Sequence, residues 1–283
     1  MARKNPQAKP VAAKSRPPMR KPVRHTPSWV APIATLAGLA VIIVAFLAYR
    51  YFTTPPPVPP ANEATTAQVI ATITSLPASE FDQVGQGSAK KVLKKVTDQP
   101  LKDASGKPLV FYFGAEFCPY CAAERWPLII ALSRFGTFSG LATSTSSSTD
   151  VFANTRTFTF RSATYTSDVI AFQSVEASDR DGNGLQSPSA AQQALITKYD
   201  QGDTIPFLDI GNGYVLLQPS YMPDAIRGMS WSQIATALGN PESPQAQAII
   251  GSANQLTAAI CTLTSNQPAT VCTAPIQAIE GKL

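Results

Sequence analysis

Five consecutive apolar residues, Leu109-Val110-Phe111-Tyr112-Phe113, end at Gly114 and are followed almost at once by Cys118-Pro119-Tyr120-Cys121. An apolar run of this length, closed by a glycine, predicts a strand buried on both faces, which needs packed layers above and below it. Pro119 suits the first turn of a helix, where a missing N–H is no loss. Ala122, Ala123, Leu128, Ile129 and Leu132 then supply apolar positions up to Arg134, and Gly136 follows the helix end. Pro127 lies inside that helix and is expected to kink it. Strand, short loop, Cys-x-x-Cys and immediate helix together predict an α/β fold with the cysteine pair at a helix N-terminus.

That position has chemical consequences. At or near the N-cap, Cys118 meets unpaired backbone N–H groups and the positive end of the helix dipole, both of which favour thiolate over thiol. Cys121, three residues on, faces the same side within disulfide reach and is expected to be more buried and less acidic. The expected catalytic roles are Cys118 as attacking nucleophile and Cys121 as resolving thiol. A structural disulfide or half a zinc site are the alternatives. Zinc wants four ligands, and the only His, His25, is far upstream, so Cys261 and Cys272 would have to join. No metal and no cofactor are expected.

Charge is distributed unevenly. Of 23 Lys and Arg residues, eight precede Trp29, where there is no acid; from Thr53 onward 14 face 18 acidic residues. The net charge of +5 therefore belongs to the tail, and no nucleic-acid partner is expected. Residues 1–28 have the composition of a disordered basic arm. Trp29 to Phe52 carries no charge before Arg50, and about 20 apolar residues suffice to cross a bilayer core of ~30 Å. Residues 29–52 are expected to be a transmembrane signal anchor, since the bulky exit Tyr49-Arg50-Tyr51-Phe52 does not suit signal cleavage. The cationic tail orients it with the N-terminus cytoplasmic and everything after the span extracytoplasmic, at the cell membrane. Residues 53–63, containing Pro-Pro-Pro-Val-Pro-Pro, read as a stiff linker, and 64–283 as the exported domain.

Within that domain, helices are expected at Ala64 to Leu76, Ser79 to Val84, Ser189 to Tyr199, Ser230 to Leu238 and Ser243 to Leu263. Strands are expected around Val92 to Val96, Pro108 to Phe113, Thr157 to Phe160, Val169 to Val175, and on both sides of Gly211-Asn212-Gly213, a hairpin signature. Asp179-Arg180-Asp181-Gly182-Asn183-Gly184 has the first half of a calcium loop, but Ala190 stands where the bidentate Glu belongs; a polar turn is the better reading. Cys261 and Cys272 bracket Asn266-Gln267-Pro268 and are expected to form a structural disulfide, with a second redox pair as the alternative.

Phe113 to Cys121 resembles the active-site segment of the thioredoxin superfamily, with the Cys-Pro-Tyr-Cys spelling familiar from glutaredoxins. Thr204-Ile205-Pro206-Phe207 resembles the loop of that superfamily whose proline is cis and packs beside the cysteines. Gly114 to Arg134 and Phe207 to Asn212 are also similar to the membrane-anchored DUF929 family. The resemblance implies a thioredoxin-like central sheet flanked by helices, an insertion at about 137–186 between the Cys-x-x-Cys helix and the cis-Pro strand, and a helical C-terminal extension at about 240–283. It implies a membrane-anchored thiol–disulfide oxidoreductase acting on the thiols or disulfides of exported proteins, served by a membrane or extracytoplasmic redox partner. Ile205, Pro206, Pro119 and Tyr120 would bind substrate. The competing reading is a non-catalytic scaffold with structural disulfides. This chain departs from thioredoxins where they carry a buried acid, six residues before the first Cys; here that residue is Tyr112. Glu116 and Glu124 are nearby substitutes, although solvated surface positions are the plainer expectation for both. The glycine pair with which glutaredoxins hold glutathione is absent after Pro206.

Overall fold

A computed structural model of the chain describes residues 30–53, 62–202 and 204–283. Its contacts divide the chain into two units, with the boundary after Thr53.

The first unit is a single helix, α1 (Val30–Thr53). Its side chains are described from Leu36 to Tyr49, all exposed. Among the described residues no helix is long and apolar enough to cross a membrane. Trp29 of the expected 29–52 span, the basic tail 1–28 and most of the linker lie outside the described residues.

The second unit is a mixed α/β domain. It runs through α2 (Glu63–Thr74), α3 (Ala78–Val84), β1 (Lys94–Lys95), β2 (Leu109–Gly114), α4 (Pro119–Ser133), β3 (Thr137–Ser139), β4 (Ala142–Thr145), β5 (Arg156–Thr159), β6 (Thr164–Thr166) and β7 (Ala171–Glu176). It continues through α5 (Ala190–Tyr199), β8 (Phe207–Ile210), β9 (Tyr214–Leu216), a 3₁₀ turn (Pro223–Ile226), α6 (Trp231–Leu238), α7 (Pro244–Leu263) and α8 (Ala274–Glu280). Five strands form one sheet in the order β1-β9-β8-β2-β7. β7 is parallel to β2, with Leu109 opposite Ala171 and Gly114 opposite Glu176. β8 is antiparallel to β2, β9 to β8, and β1 to β9.

The apolar run of β2 makes it the central strand, buried on both sides as such a run requires. Val110 and Tyr112 belong to the large core beneath α4 and α7, and Phe111 to a smaller one with Val175, Ile196 and Phe207 under α5. The β8–β9 connection turns at Gly211 and Asn212, both at positive φ, 62° and 56°. Two positive φ values in succession make the tight hairpin that a Gly-Asn pair allows. The strand expected over Val92 to Val96 shrinks to two residues, Lys94 and Lys95, both exposed at the sheet edge, where lysines oppose further pairing.

Residues 137–186, expected as an insertion, divide in two. Residues 137–166 form two small ribbons, β3–β6 and β4–β5, whereas β7 belongs to the main sheet. Aromatic rings hold the ribbons to the core: Phe158 meets Trp126 at 4.7 Å and Phe160 meets Tyr112 at 5.3 Å between centroids. Within the C-terminal stretch 240–283, α7 (Pro244–Leu263) is part of the core. α7 starts at the Ser243 cap and is buried on nearly every face, packing against α3, α4, α6 and α8.

α4 runs through Pro127 as one continuous helix. Proline there deprives the Ala123 carbonyl of its usual N–H partner. The Tyr221 hydroxyl donates to that carbonyl instead, at 2.8 Å.

Candidate active site

Cys118 is the N-cap of α4, with φ −75° and ψ 120°. Its Sγ accepts from the Cys121 N–H at 3.3 Å, as a serine or aspartate would at that position. Pro119 occupies the first turn, as anticipated. The loop arriving from β2 is tied down on both sides: Glu116 N–H donates to Ser178 O, and Phe117 O accepts from Ser147 N–H, each at 2.9 Å.

The Ile205–Pro206 peptide is cis. It precedes β8, which pairs with β2, so the sheet brings Ile205 to the cysteines across 87 residues of sequence; Cys118 Sγ lies 3.8 Å from Ile205 O. Tyr120 is half-buried and turns its ring to Phe152 at 5.9 Å. The structure thus gathers Cys118, Cys121, Pro119, Tyr120, Ile205 and Pro206 at one end of β2 and β8. Cys261 and Cys272 form a disulfide of their own, joining the end of α7 to the approach to α8, with both sulfurs buried.

Cys118 and Cys121 are free thiols of unequal character. Cys118 is 5% exposed and Cys121 is fully covered. The hydrogen bond with the Cys121 side chain, helped by that residue's N–H and by the Arg125 charge, lowers the Cys118 thiol below its ordinary value despite its burial. Burial pushes Cys121 well up, and its interactions with Cys118 add to the rise. Ionisation is thus easier for Cys118 than for Cys121, and it is the thiolate that acts as a nucleophile.

Buried polar groups surround the pair, and here the sequence reading is corrected. Glu116 and Glu124 are not solvated surface residues. Glu116 accepts from Thr159 Oγ1 at 2.5 Å. Glu124 is fully buried on α4, with Oε2 accepting from Ser220 N–H and Oγ at 2.8 and 2.6 Å; desolvation raises its carboxyl to about 7. Sequence reasoning also missed Arg125 and Glu176, both fully buried. Arg125, one helical turn past Cys121, donates to both Glu176 carboxylate oxygens and to Ala115 O, and so ties α4 to the end of β7 and to the cysteine loop. An arginine inside a helix with so little polar surface was the available signal.

Asp179 spends its carboxylate on the N–H groups of Asp181 and Asn183 and on the Asn183 amide, which makes 179–184 a self-closed polar turn. Among the described residues no cluster of three or more His, Cys, Asp or Glu could hold a metal ion.

A family model described as "Domain of unknown function (DUF929)" matches residues 93–262. The matched span includes Cys118, Cys121, Ile205 and Pro206, and stops short of Cys272. No curated protein and no solved structure matches the chain.

Proposed function

The chain belongs to the DUF929 family, and from that premise we propose that it is a thiol–disulfide oxidoreductase working through Cys118 and Cys121. The observation that carries this reading is the Cys118 sulfur itself. It caps α4, is lowered toward thiolate, and lies 3.8 Å from the carbonyl of Ile205 beside a cis proline. The connectivity β2-α4-β7-α5-β8-β9-α7 and the sheet order β9-β8-β2-β7 support a thioredoxin-like reading of the fold, with β1, α2, α3 and the two ribbons added around it.

In the proposed cycle the Cys118 thiolate attacks a substrate disulfide and forms a mixed disulfide, releasing one substrate thiolate. Cys121 then attacks Cys118 Sγ, and the second substrate sulfur leaves reduced while the pair is oxidised. In the opposite direction a substrate thiolate attacks Cys118 of the oxidised pair. Ile205 and Pro206, with Pro119 and Tyr120, would flank the substrate chain. The apolar sequence 29–52 and its basic flank support membrane anchoring with the domain extracytoplasmic, where substrates would be exported proteins and a redox partner would recharge the pair.

Near-complete burial of Cys118 favours a second reading, a scaffold whose cysteines only stabilise it. Trapping separates the two. Cys121→Ser should accumulate mixed disulfides through Cys118 that Cys118→Ala lacks; recovery of none, together with a pair potential below about −300 mV, would leave the scaffold.

A further inference from the structure

Tyr112 carries a hydroxyl with no visible employment. The side chain is fully buried, and among the described residues its Oη makes no well-formed hydrogen bond, the Cys121 side chain being the polar group it faces, whereas buried phenols ordinarily find a partner. Its surroundings show where that hydroxyl points. A Cβ added to Gly114 would sit 2.7 Å from Tyr112 Cζ, closer still to Oη, and 3.0 Å from Cys121 Sγ. Hydroxyl and sulfur therefore border the same small space above the Gly114 Cα, open only because residue 114 has no side chain. The ring is held by Phe160 at 5.3 Å and by the Arg125 guanidinium at 5.7 Å from its centroid.

We propose that Tyr112 is a catalytic residue of the cysteine centre, its hydroxyl donating the hydrogen bond that stabilises the Cys121 thiolate. This rests on reading Cys118 and Cys121 as a redox pair. When a substrate thiolate attacks Cys118 of the oxidised pair, a new S–S bond forms between substrate and Cys118. The Cys118–Cys121 bond breaks and its electron pair goes to Cys121 Sγ, so substrate sulfur is oxidised and Cys121 reduced. In reverse, the Cys121 thiolate attacks Cys118 and expels the substrate thiolate. Both directions pass through an anion at a fully buried sulfur, and a thiolate accepts far better than the thiol, which accounts for the idle hydroxyl of the dithiol state. Desolvation holds the phenol well above its ordinary value, with Cys121 adding to the rise, so Tyr112 stays a donor rather than losing its proton. Arg125 Nη1, also without a partner among the described residues, adds positive charge beside the Tyr112 ring. The three atoms nearest the Gly114 space belong to Tyr112 and Cys121, whereas Glu124 turns its Oε2 to Ser220.

The experiment uses the full chain with Cys118 loaded as a mixed disulfide with thionitrobenzoate, and follows release of the coloured thiolate by Cys121 across pH. Tyr112→Phe removes only the hydroxyl. It should slow release at pH 7 by roughly tenfold to a hundredfold, the value of a hydrogen bond to a charged group, and move the half-maximal pH upward. Tyr112 replaced by 3-fluorotyrosine, a stronger donor of nearly the same shape, should move it downward, and this chain decides the matter if Tyr112→Phe does not fold. Profiles that superimpose on the unmodified chain overturn the assignment alone. An unmodified chain that releases nothing overturns the redox reading and this inference together.

Discussion

The Arg125 guanidinium grips both carboxylate oxygens of Glu176, through Nε at 2.9 Å and Nη2 at 2.5 Å, with neither side chain exposed. Two charges withdrawn from water are tolerable only while each has the other. Glu176→Gln should therefore destabilise the domain by about 3–5 kcal/mol, because it strands a buried cation. Urea unfolding of the variant against the parent chain measures this, and a loss under 1 kcal/mol would contradict the pairing.

Glu124 makes stability depend on pH in the direction opposite to most carboxylates. Burial raises its folded carboxyl from 4.5 to about 7. Its contribution is fully present below about pH 4.5 and is lost as pH rises toward and through 7, because the folded state holds a proton that the unfolded state has released. The loss is on the order of 3 kcal/mol. Glu124→Gln keeps an acceptor for Ser220 and has no proton to lose, so unfolding midpoints at pH 5 and pH 8 should differ less in the variant than in the parent. Buried Asp209, raised to about 6 by desolvation, adds a smaller slope in an overlapping window that both chains share.

Alkylation should distinguish the two free thiols. Cys118 is lowered and keeps 5% of its surface exposed, whereas Cys121 is raised and fully covered. Iodoacetamide at pH 7, followed by peptide mapping, should label Cys118 selectively and reach Cys121 only after denaturation. Equal labelling of both in the folded chain would contradict the asymmetry.

Gly114→Ala places a methyl group against the Tyr112 ring and the Cys121 sulfur. Overpacking of this kind costs about 1–3 kcal/mol, and here it also wedges apart the two groups on which resolution is proposed to depend. A lowered unfolding midpoint should accompany slower release in the thionitrobenzoate assay.

The disulfide Cys261–Cys272, with a sequence separation of 11, closes a short loop. Removing both sulfurs as Cys261→Ala/Cys272→Ala should cost about 3 kcal/mol by the chain-entropy relation and leave the reaction of Cys118 with a model disulfide unchanged. Lost turnover in a chain that still folds would instead point to electron relay between the two pairs.

The elements readable in advance were those whose signals are local. β2 follows from an uninterrupted apolar run, α4 from a cysteine cap followed by proline, and the β8–β9 turn from Gly-Asn-Gly. The ribbons were blurred because three- and four-residue strands rich in Ser and Thr carry little pattern of their own; rings of Trp126, Phe158 and Phe160 settle their positions. The cysteine site divides in the same way. Cys118, Pro119 and Cys121 are neighbours in the chain, and their placement at the N-terminus of α4 could be read from spacing. Glu124 was expected at the surface because nothing within a few residues reveals Ser220, 96 residues away.

By itself, then, the sequence determined that a buried strand delivers a cysteine pair to a helix N-terminus, and that one thiol is favoured as an anion. Capping and dipole effects act within a single turn and need no distant partner. The tertiary structure alone decided what stands around that pair: Ile205 beside Cys118, Glu176 holding Arg125, and Tyr112 facing Cys121 over Gly114. These relationships are set by sheet register and side-chain packing, which sum interactions from segments far apart in the chain.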